Sequence, residues 1–183
     1  SKQFKNYEEA ISYYNKLLSR LDKNSVTYAD VLYRRGGGFE RLGNYIKSDK
    51  DLLKSLEIDP DDAYVLNYLA DSWLERNYKI DVAMEMLEKA YEQEPEDAFI
   101  IDSIGWAHYL TGNYSEAEKL LKKAIQIMPD DPIVNDHYGD ILWQLDRKIE
   151  AQYFWKNVLS LDDTEEEMKD KVYIKILKGL KKI

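Results

Sequence analysis

The feature that most constrains this chain is a repeat of about 34 residues that runs through most of its length. Small residues mark the repeat, since Gly36, Ala70, Gly105 and Gly139 follow one another at intervals of 34, 35 and 34 residues. Each lies in a run whose apolar residues recur at helical spacing, and a second such run follows it. A small residue at a fixed position lets two helices approach closely. The spacing therefore predicts stacked pairs of helices, each pair packed mainly against its neighbours.

The clearest unit spans residues 98–131. Gly112-Asn113 separates its two amphipathic segments, and Pro129 closes the second. The residues that carry its pattern are Ile101, Ile104, Gly105, His108, Ala117 and Leu121. This pattern resembles the tetratricopeptide repeat (TPR), a unit of two antiparallel helices. The resemblance implies an all-α fold class, a right-handed α-solenoid of helix-turn-helix repeats.

The register of the repeat predicts one solenoid domain over residues 1–183. Its parts are a partial repeat and link at 1–28, and four full units at 29–62, 63–97, 98–131 and 132–165. Because the first unit lacks its first helix, we expect a piece of a longer array. Residues 164–183 fall outside the repeat and predict a capping helix that covers the last unit, with Thr164 and Glu167 forming a capping box.

Composition excludes several classes of partner. The net charge of −9 argues against nucleic acid, because phosphate binding needs basic patches. No apolar run approaches the roughly 18 residues of a membrane span, so no membrane insertion is expected. The chain has no cysteine and hence no thiol chemistry. None of this fixes the location, which stays open between the cytoplasm and the bacterial envelope or periplasm.

Catalytic and metal chemistry find little support in the sequence. His108 and His137 lie in different units and lack the spacing of a metal site such as H-E-x-x-H. We expect His108 to pack between helices and His137 to hydrogen-bond across units. The Gly36-Gly37-Gly38 run is not a phosphate loop, because no Gly-Lys-Ser/Thr follows it. We therefore predict no enzyme activity, no catalytic residue, no metal site and no cofactor.

The resemblance implies a binding surface. In TPR proteins the first helices of successive units line a concave groove that holds peptide segments. Carried onto this sequence, the groove residues are Tyr33, Tyr64, Asn67, Asp71, Phe99, Asp102, Trp106, Tyr109, Asp136, Asp140 and Trp143. Aromatic side chains among carboxylates favour a ligand with basic and apolar side chains. The alternative is that Trp106 and Trp143 merely pack against neighbouring helices.

The run from Asn135 to Asp140 with Trp143 is similar to the last repeat of a large bacterial TPR family whose activity is not characterised. The resulting prediction is a scaffold that binds proteins or peptides in a bacterial complex. The alternative is an architectural or self-associating spacer, which would form homo-oligomers through the N-terminal helix. We expect that helix to leave a stripe uncovered at Tyr7, Ile11, Tyr14 and Leu18.

Four residues depart from the family pattern. Gly37 and Gly38 stand where helix formers are usual, and Ser48 and Ser55 where alanine is usual. If the glycine segment is helical, replacing either glycine by alanine should raise stability.

Overall fold

The computed structural model describes residues 1–182, in which ten α-helices and no strand occur. The helices are α1 (Lys2–Leu18), α2 (Val26–Arg41), α3 (Tyr45–Ile58), α4 (Ala63–Glu75), α5 (Ile80–Gln93), α6 (Ala98–Leu110), α7 (Tyr114–Ile127), α8 (Pro132–Gln144), α9 (Lys148–Ser160) and α10 (Glu166–Lys178). They form two compact parts, Ser1–Gln93 and Glu94–Ile183. We call these parts unit 1 and unit 2; each is larger than a single repeat. The predicted all-α class is confirmed.

Aspartates start three of the first helices of the repeats. The Asp62 carboxylate accepts hydrogen bonds from the backbone amides of the second and third residues of α4, at 3.0 and 3.2 Å. Asp97 does the same for α6, at 3.0 and 3.1 Å. Asp131 caps α8 through one bond of 2.9 Å, with Pro132 at the first helical position. Caps of this kind satisfy amides that the helix itself leaves unpaired.

The turns inside the four full repeats share one backbone feature, a residue with a positive φ angle. Gly43 and Gly112 adopt positive φ angles of 76° and 83° just after their first helices. At the same repeat position, Asn77 and Asp146 adopt φ angles of 51° and 62°. The second repeat has one extra residue in this turn, and Lys79 takes up a further positive φ of 46° there.

The small residues lie where the helices of a pair cross. A methyl group built on Gly105 would approach the Leu121 side chain to 2.1 Å, and one on Gly139 would approach Trp155 to 2.5 Å. Leu121 and Trp155 are fully buried. The second helices therefore fill the space that the glycines leave open.

Two sequence predictions about the chain ends are wrong. Helix α10 begins after Glu165, which makes no side-chain cap. Thr164 does not cap it, because its hydroxyl is buried and donates to the Val158 carbonyl at 2.7 Å. On α1, Ile11 and Leu18 are buried rather than uncovered, and Leu18 packs in a cluster with apolar residues of α2. The exposed large apolar residues of α1 are Phe4 and Tyr13.

Candidate functional site

In unit 1, the predicted groove residues lie on α2 and α4. The Tyr33 ring meets the Tyr68 ring edge-on, with centroids 5.8 Å apart. Burial raises the pKa of the Tyr33 hydroxyl. Tyr64 is 53% exposed, while Asp71 is half-buried. The Asn67 side-chain oxygen is buried and finds no hydrogen-bond partner among residues 1–182.

In unit 2, seven predicted groove residues lie on α6 and α8. We call this set the unit 2 face: Phe99, Asp102, Trp106, Tyr109, Asp136, Asp140 and Trp143. Its centre is an aromatic stack. The Trp106 ring stacks with the His137 ring, with centroids 3.9 Å apart and planes at 14°, and with the Tyr109 ring, at 4.5 Å and 24°. Phe99 is 54% exposed.

His137 joins the two first helices of unit 2. Its Nδ1 lies 2.9 and 3.1 Å from the carboxylate oxygens of Asp102, which confirms the expected hydrogen bond across repeats. Burial lowers the pKa of His137, but the charge and hydrogen bond of Asp102, with the charges of Asp136 and Asp140, outweigh it and raise the pKa to about 9. The imidazole is therefore protonated at neutral pH and forms an ion pair with Asp102.

The other two carboxylates of the unit 2 face pair with Lys175 of the capping helix. The Lys175 Nζ lies 2.7 Å from Asp136 Oδ1 and 2.9 and 3.0 Å from the two oxygens of Asp140. Asp140 also accepts a 3.0 Å bond from the indole of buried Trp155. Burial and then the Asp136 charge raise the pKa of Asp140 to about 6, against the opposing effect of Lys175.

Trp143 is covered by residues 179–182, which we call the C-terminal segment. The Trp143 indole donates to the Leu180 carbonyl at 2.9 Å, and the Gln144 amide donates to the Lys181 carbonyl at 3.1 Å. Gly179 makes this close approach possible, because it has a positive φ of 69° and a methyl group there would lie 2.1 Å from the indole.

Sequence reasoning did not identify Lys175 or the C-terminal segment as neighbours of this face. Both lie outside the repeat, so no register relates them to α8. The sequence did contain one signal for this contact. Its last residues are basic and apolar, which is the chemistry expected of a ligand for this face.

Unit 1 contains an open cleft between α1 and α2 that the sequence did not predict. Its volume is about 520 Å³. We call it the α1–α2 cleft, and it is lined by Asn6, Tyr7, Ala10, Tyr14, Tyr33, Arg34, Gly37, Gly38, Arg41 and Tyr68. The expectation of an uncovered stripe on α1 thus has a counterpart at Tyr7 and Tyr14.

Within residues 1–182, no group of three or more His, Cys, Asp or Glu side chains is arranged to hold a metal ion. None of the helices in the described part of the chain combines the length and apolarity needed to cross a membrane.

Solved structures with a similar fold come from several proteins. TTC0263, described as a thermophilic TPR protein of Thermus thermophilus, matches with a TM-score of 0.75 and 17% identity over 93% of this chain and 91% of that one. MamA from Desulfovibrio magneticus RS-1 gives 0.70 and 20% over 90% and 96%. The pilF protein of Pseudomonas aeruginosa gives 0.65 and 16% over 95% and 87%. At these identities the likeness concerns the fold.

Sequence comparison identifies the family. The TPR repeat-containing protein PA4667 of Pseudomonas aeruginosa is 32% identical over 111 residues, which are 61% of this chain and 19% of that protein. The match thus spans about a fifth of that relative. Two models of the tetratricopeptide repeat match the chain, one over residues 74–136 and one over residues 1–20 and 29–62. With the helix pairs and their spacing, these matches place the chain in the tetratricopeptide repeat family.

Proposed function

We propose that this chain is a non-enzymatic scaffold that binds protein or peptide segments with basic and apolar side chains on the unit 2 face. Its family and its fold support protein interaction as the general role. The bacterial relative supports a bacterial assembly as the setting.

The observation that carries the proposal is that this face already holds a segment of that chemistry from the same chain. Lys175 places its ammonium between the carboxylates of Asp136 and Asp140. Trp143 packs against the C-terminal segment and hydrogen-bonds to its backbone. Other basic segments can form the same two contacts, a hydrogen bond through a backbone carbonyl and an ion pair through a basic side chain.

Two exposed apolar residues at the starts of α6 and α8 offer further contacts for a partner. Phe99 and Ile133 are the second residues of α6 and α8, at the same position of successive repeats, and they are 54% and 52% exposed. Exposed large apolar residues of this kind anchor interfaces and supply much of the affinity. The carboxylates of Asp136 and Asp140 are paired with Lys175, so a basic partner must displace that ammonium to reach them.

An array of short peptides graded in basic and apolar content tests this proposal. Retention of the labelled protein should rise with both contents and should fall for Phe99→Ala and Ile133→Ala. Because both side chains are exposed, these variants should fold normally. Lys122→Glu, an exposed change on α7, is the matched control and should bind as the unmodified chain does. Equal retention by the control and by both apolar variants would contradict the proposal.

A self-associating spacer is the second candidate function. The observation that favours it is the exposure of Phe4 and Tyr13 on α1, at 51% and 60%. Sedimentation of the chain beside a Phe4→Ser, Tyr13→Ser variant tests it. Association that the variant abolishes would support this candidate, and monomers at high concentration would exclude it.

A further inference from the structure

Unit 1 contains another cavity, which is lined mainly by basic and polar side chains of α1, α2 and α3. Its volume is about 280 Å³. We call it the basic cavity, and its lining residues are Asn15, Arg35, Phe39, Lys47, Lys50 and Asp51. It shares no lining residue with the α1–α2 cleft. Three cations and one carboxylate give the lining a net charge of +2, in a chain whose net charge is −9.

The carboxylate in this lining is already paired. Arg35 donates from Nε to Asp51 Oδ2 at 2.7 Å and from Nη2 to Asp51 Oδ1 at 2.8 Å, and Asp51 is buried. Arg35 Nη1 donates to the side-chain oxygen of Asn15 at 3.0 Å. These bonds hold the guanidinium group in one orientation and use three of its five N–H donors. The remaining two N–H groups can donate to a ligand.

The two lysines of the basic cavity are exposed and lie on successive turns of α3. Neither Lys47 nor Lys50 forms an ion pair with a carboxylate among residues 1–182. The Phe39 ring lies beneath two of the cations, with its centroid 5.4 Å from Lys47 Nζ and 5.7 Å from the guanidinium carbon of Arg35. The cavity therefore offers positive charge and hydrogen-bond donors, while its carboxylate is paired with Arg35.

The other three full repeats lack this cluster. At the positions of Arg35 and Asp51 they carry apolar or aromatic pairs, namely Leu69 and Met86, Ile104 and Leu120, and Tyr138 and Phe154. At the position of Lys47 they carry Val82, Glu116 and Glu150. A buried ion pair is often no more stabilising than apolar residues of similar volume. Stability therefore does not account for the cluster, which points to a ligand.

We propose that the basic cavity binds a phosphoryl group, either free phosphate or a phosphate carried on a serine side chain. A phosphoryl group carries a charge of about −1.5 to −2 near pH 7, which balances the lining, whereas a carboxylate would leave one positive charge uncompensated. Lys47 and Lys50 supply charge, and the oriented guanidinium group of Arg35 supplies hydrogen bonds. The cavity is at the lower end of the size range of ligand pockets, which suits a compact group. This site is independent of the unit 2 face.

NMR titration of the ¹⁵N-labelled chain with inorganic phosphate tests the proposal. At about pH 7.5 and constant ionic strength, phosphate is mostly a dianion. It should cause saturable shifts of the Arg35 Nε–H signal and of the backbone amides of Lys47 and Lys50. Acetate, a monoanion, should bind at least tenfold more weakly. Absence of saturation, or equal binding of acetate and phosphate, would overturn the proposal.

A charge-reversed variant makes the test specific for the basic cavity. Lys47→Glu with Lys50→Glu should weaken phosphate binding at least tenfold, and it should fold normally because both side chains are exposed. Lys119→Glu with Lys122→Glu is the matched control, since it makes the same charge change at the same spacing on α7, at two exposed lysines. The control should bind phosphate as the unmodified chain does. Equal losses in both variants would overturn the proposal.

A second probe distinguishes the two sources of the phosphoryl group. N-acetylphosphoserine amide should also depend on Lys47 and Lys50. Tighter binding of this probe than of inorganic phosphate would support the proposal and assign the site to a phosphorylated protein. Equal or weaker binding that still depends on both lysines would support the proposal and assign the site to free phosphate.

Discussion

The ion pair between His137 and Asp102 makes a quantitative prediction about stability and pH. The pKa of His137 is raised to about 9 in the folded chain, against about 6.5 for an ordinary histidine. This difference corresponds to about 3 kcal/mol of stability. Because the folded-state pKa is the higher one, this contribution is complete below about pH 6.5 and is lost as the pH rises through about 9.

Replacing His137 by glutamine should therefore remove most of this pH dependence. Urea denaturation followed by circular dichroism, between about pH 6 and pH 9, gives the free energy of unfolding at each pH. Over this range, the free energy of unfolding should fall by up to about 3 kcal/mol more for the unmodified chain than for the variant. Asp140 titrates near pH 6 and so contributes mainly below the range. The change in the difference between the two proteins reports His137 together with its effect on Asp140, because the charge of His137 lowers the pKa of that carboxyl.

His108 is the matched control, because it is the other histidine and its Nδ1 lies 3.4 Å from the Asn113 side-chain amide. His108→Gln leaves the His137–Asp102 pair in place and should therefore keep the loss of stability that this pair produces as the pH rises. NMR titration of the imidazole protons gives the pKa of His137 directly. Parallel stability curves for the unmodified chain and His137→Gln, or a His137 pKa near the ordinary value, would refute the ion-pair account.

Two further predictions each contrast a pair of identical substitutions by thermal melting. Gly37→Ala should stabilise the chain by about 0.4–1 kcal/mol, because the new methyl group would lie 3.5 Å from its nearest neighbour. Gly105→Ala should destabilise the chain by about 1–3 kcal/mol, because its methyl group would clash with a neighbour at 2.1 Å. The same sign for both would contradict the packing argument. Ser48→Ala should raise stability by about 1 kcal/mol, because the buried Ser48 hydroxyl finds no hydrogen-bond partner among the described residues. Ser55→Ala should lower stability by about 1 kcal/mol, because the Ser55 hydroxyl donates to a backbone carbonyl at 2.8 Å. Gains of equal size would contradict this contrast, because the Ser55 hydrogen bond would then contribute nothing to stability.

The helix pairs followed from the sequence because their determinants are local and repeated. A small residue every 34 or 35 residues specifies each crossing, and Asp62, Asp97 and Asp131 mark where the next helix begins. Gly37 and Gly38 lie within α2 as predicted. A methyl group on Gly38 would nevertheless come within 3.1 Å of the Ile11 side chain. The stability gain expected for Gly38→Ala thus depends on whether Ile11 can move.

The parts that the sequence did not predict depend on packing outside the repeat. Lys175 meets α8 because of how α10 rotates on α9, and no periodicity specifies that rotation. The stripe expected to be uncovered on α1 combined two faces of one helix. Ile11 faces α2 and is buried, whereas Tyr7 lines the cleft. Alignment of α1 with α7 in the repeat distinguishes these two faces, whereas the apolar spacing of α1 alone does not.

The central claim, that the unit 2 face binds a basic and apolar segment, is tested most directly by calorimetric titration. The titrant is the peptide best retained on the array, and the proteins are the unmodified chain, Trp106→Ala and Lys122→Glu. Circular dichroism first establishes that each variant is folded. Loss of the Trp106 ring should weaken binding by about 2 kcal/mol or more, which is roughly 30-fold in the dissociation constant, while Lys122→Glu should change it less than about twofold. Undiminished binding by Trp106→Ala, with loss in Lys122→Glu, would contradict the account.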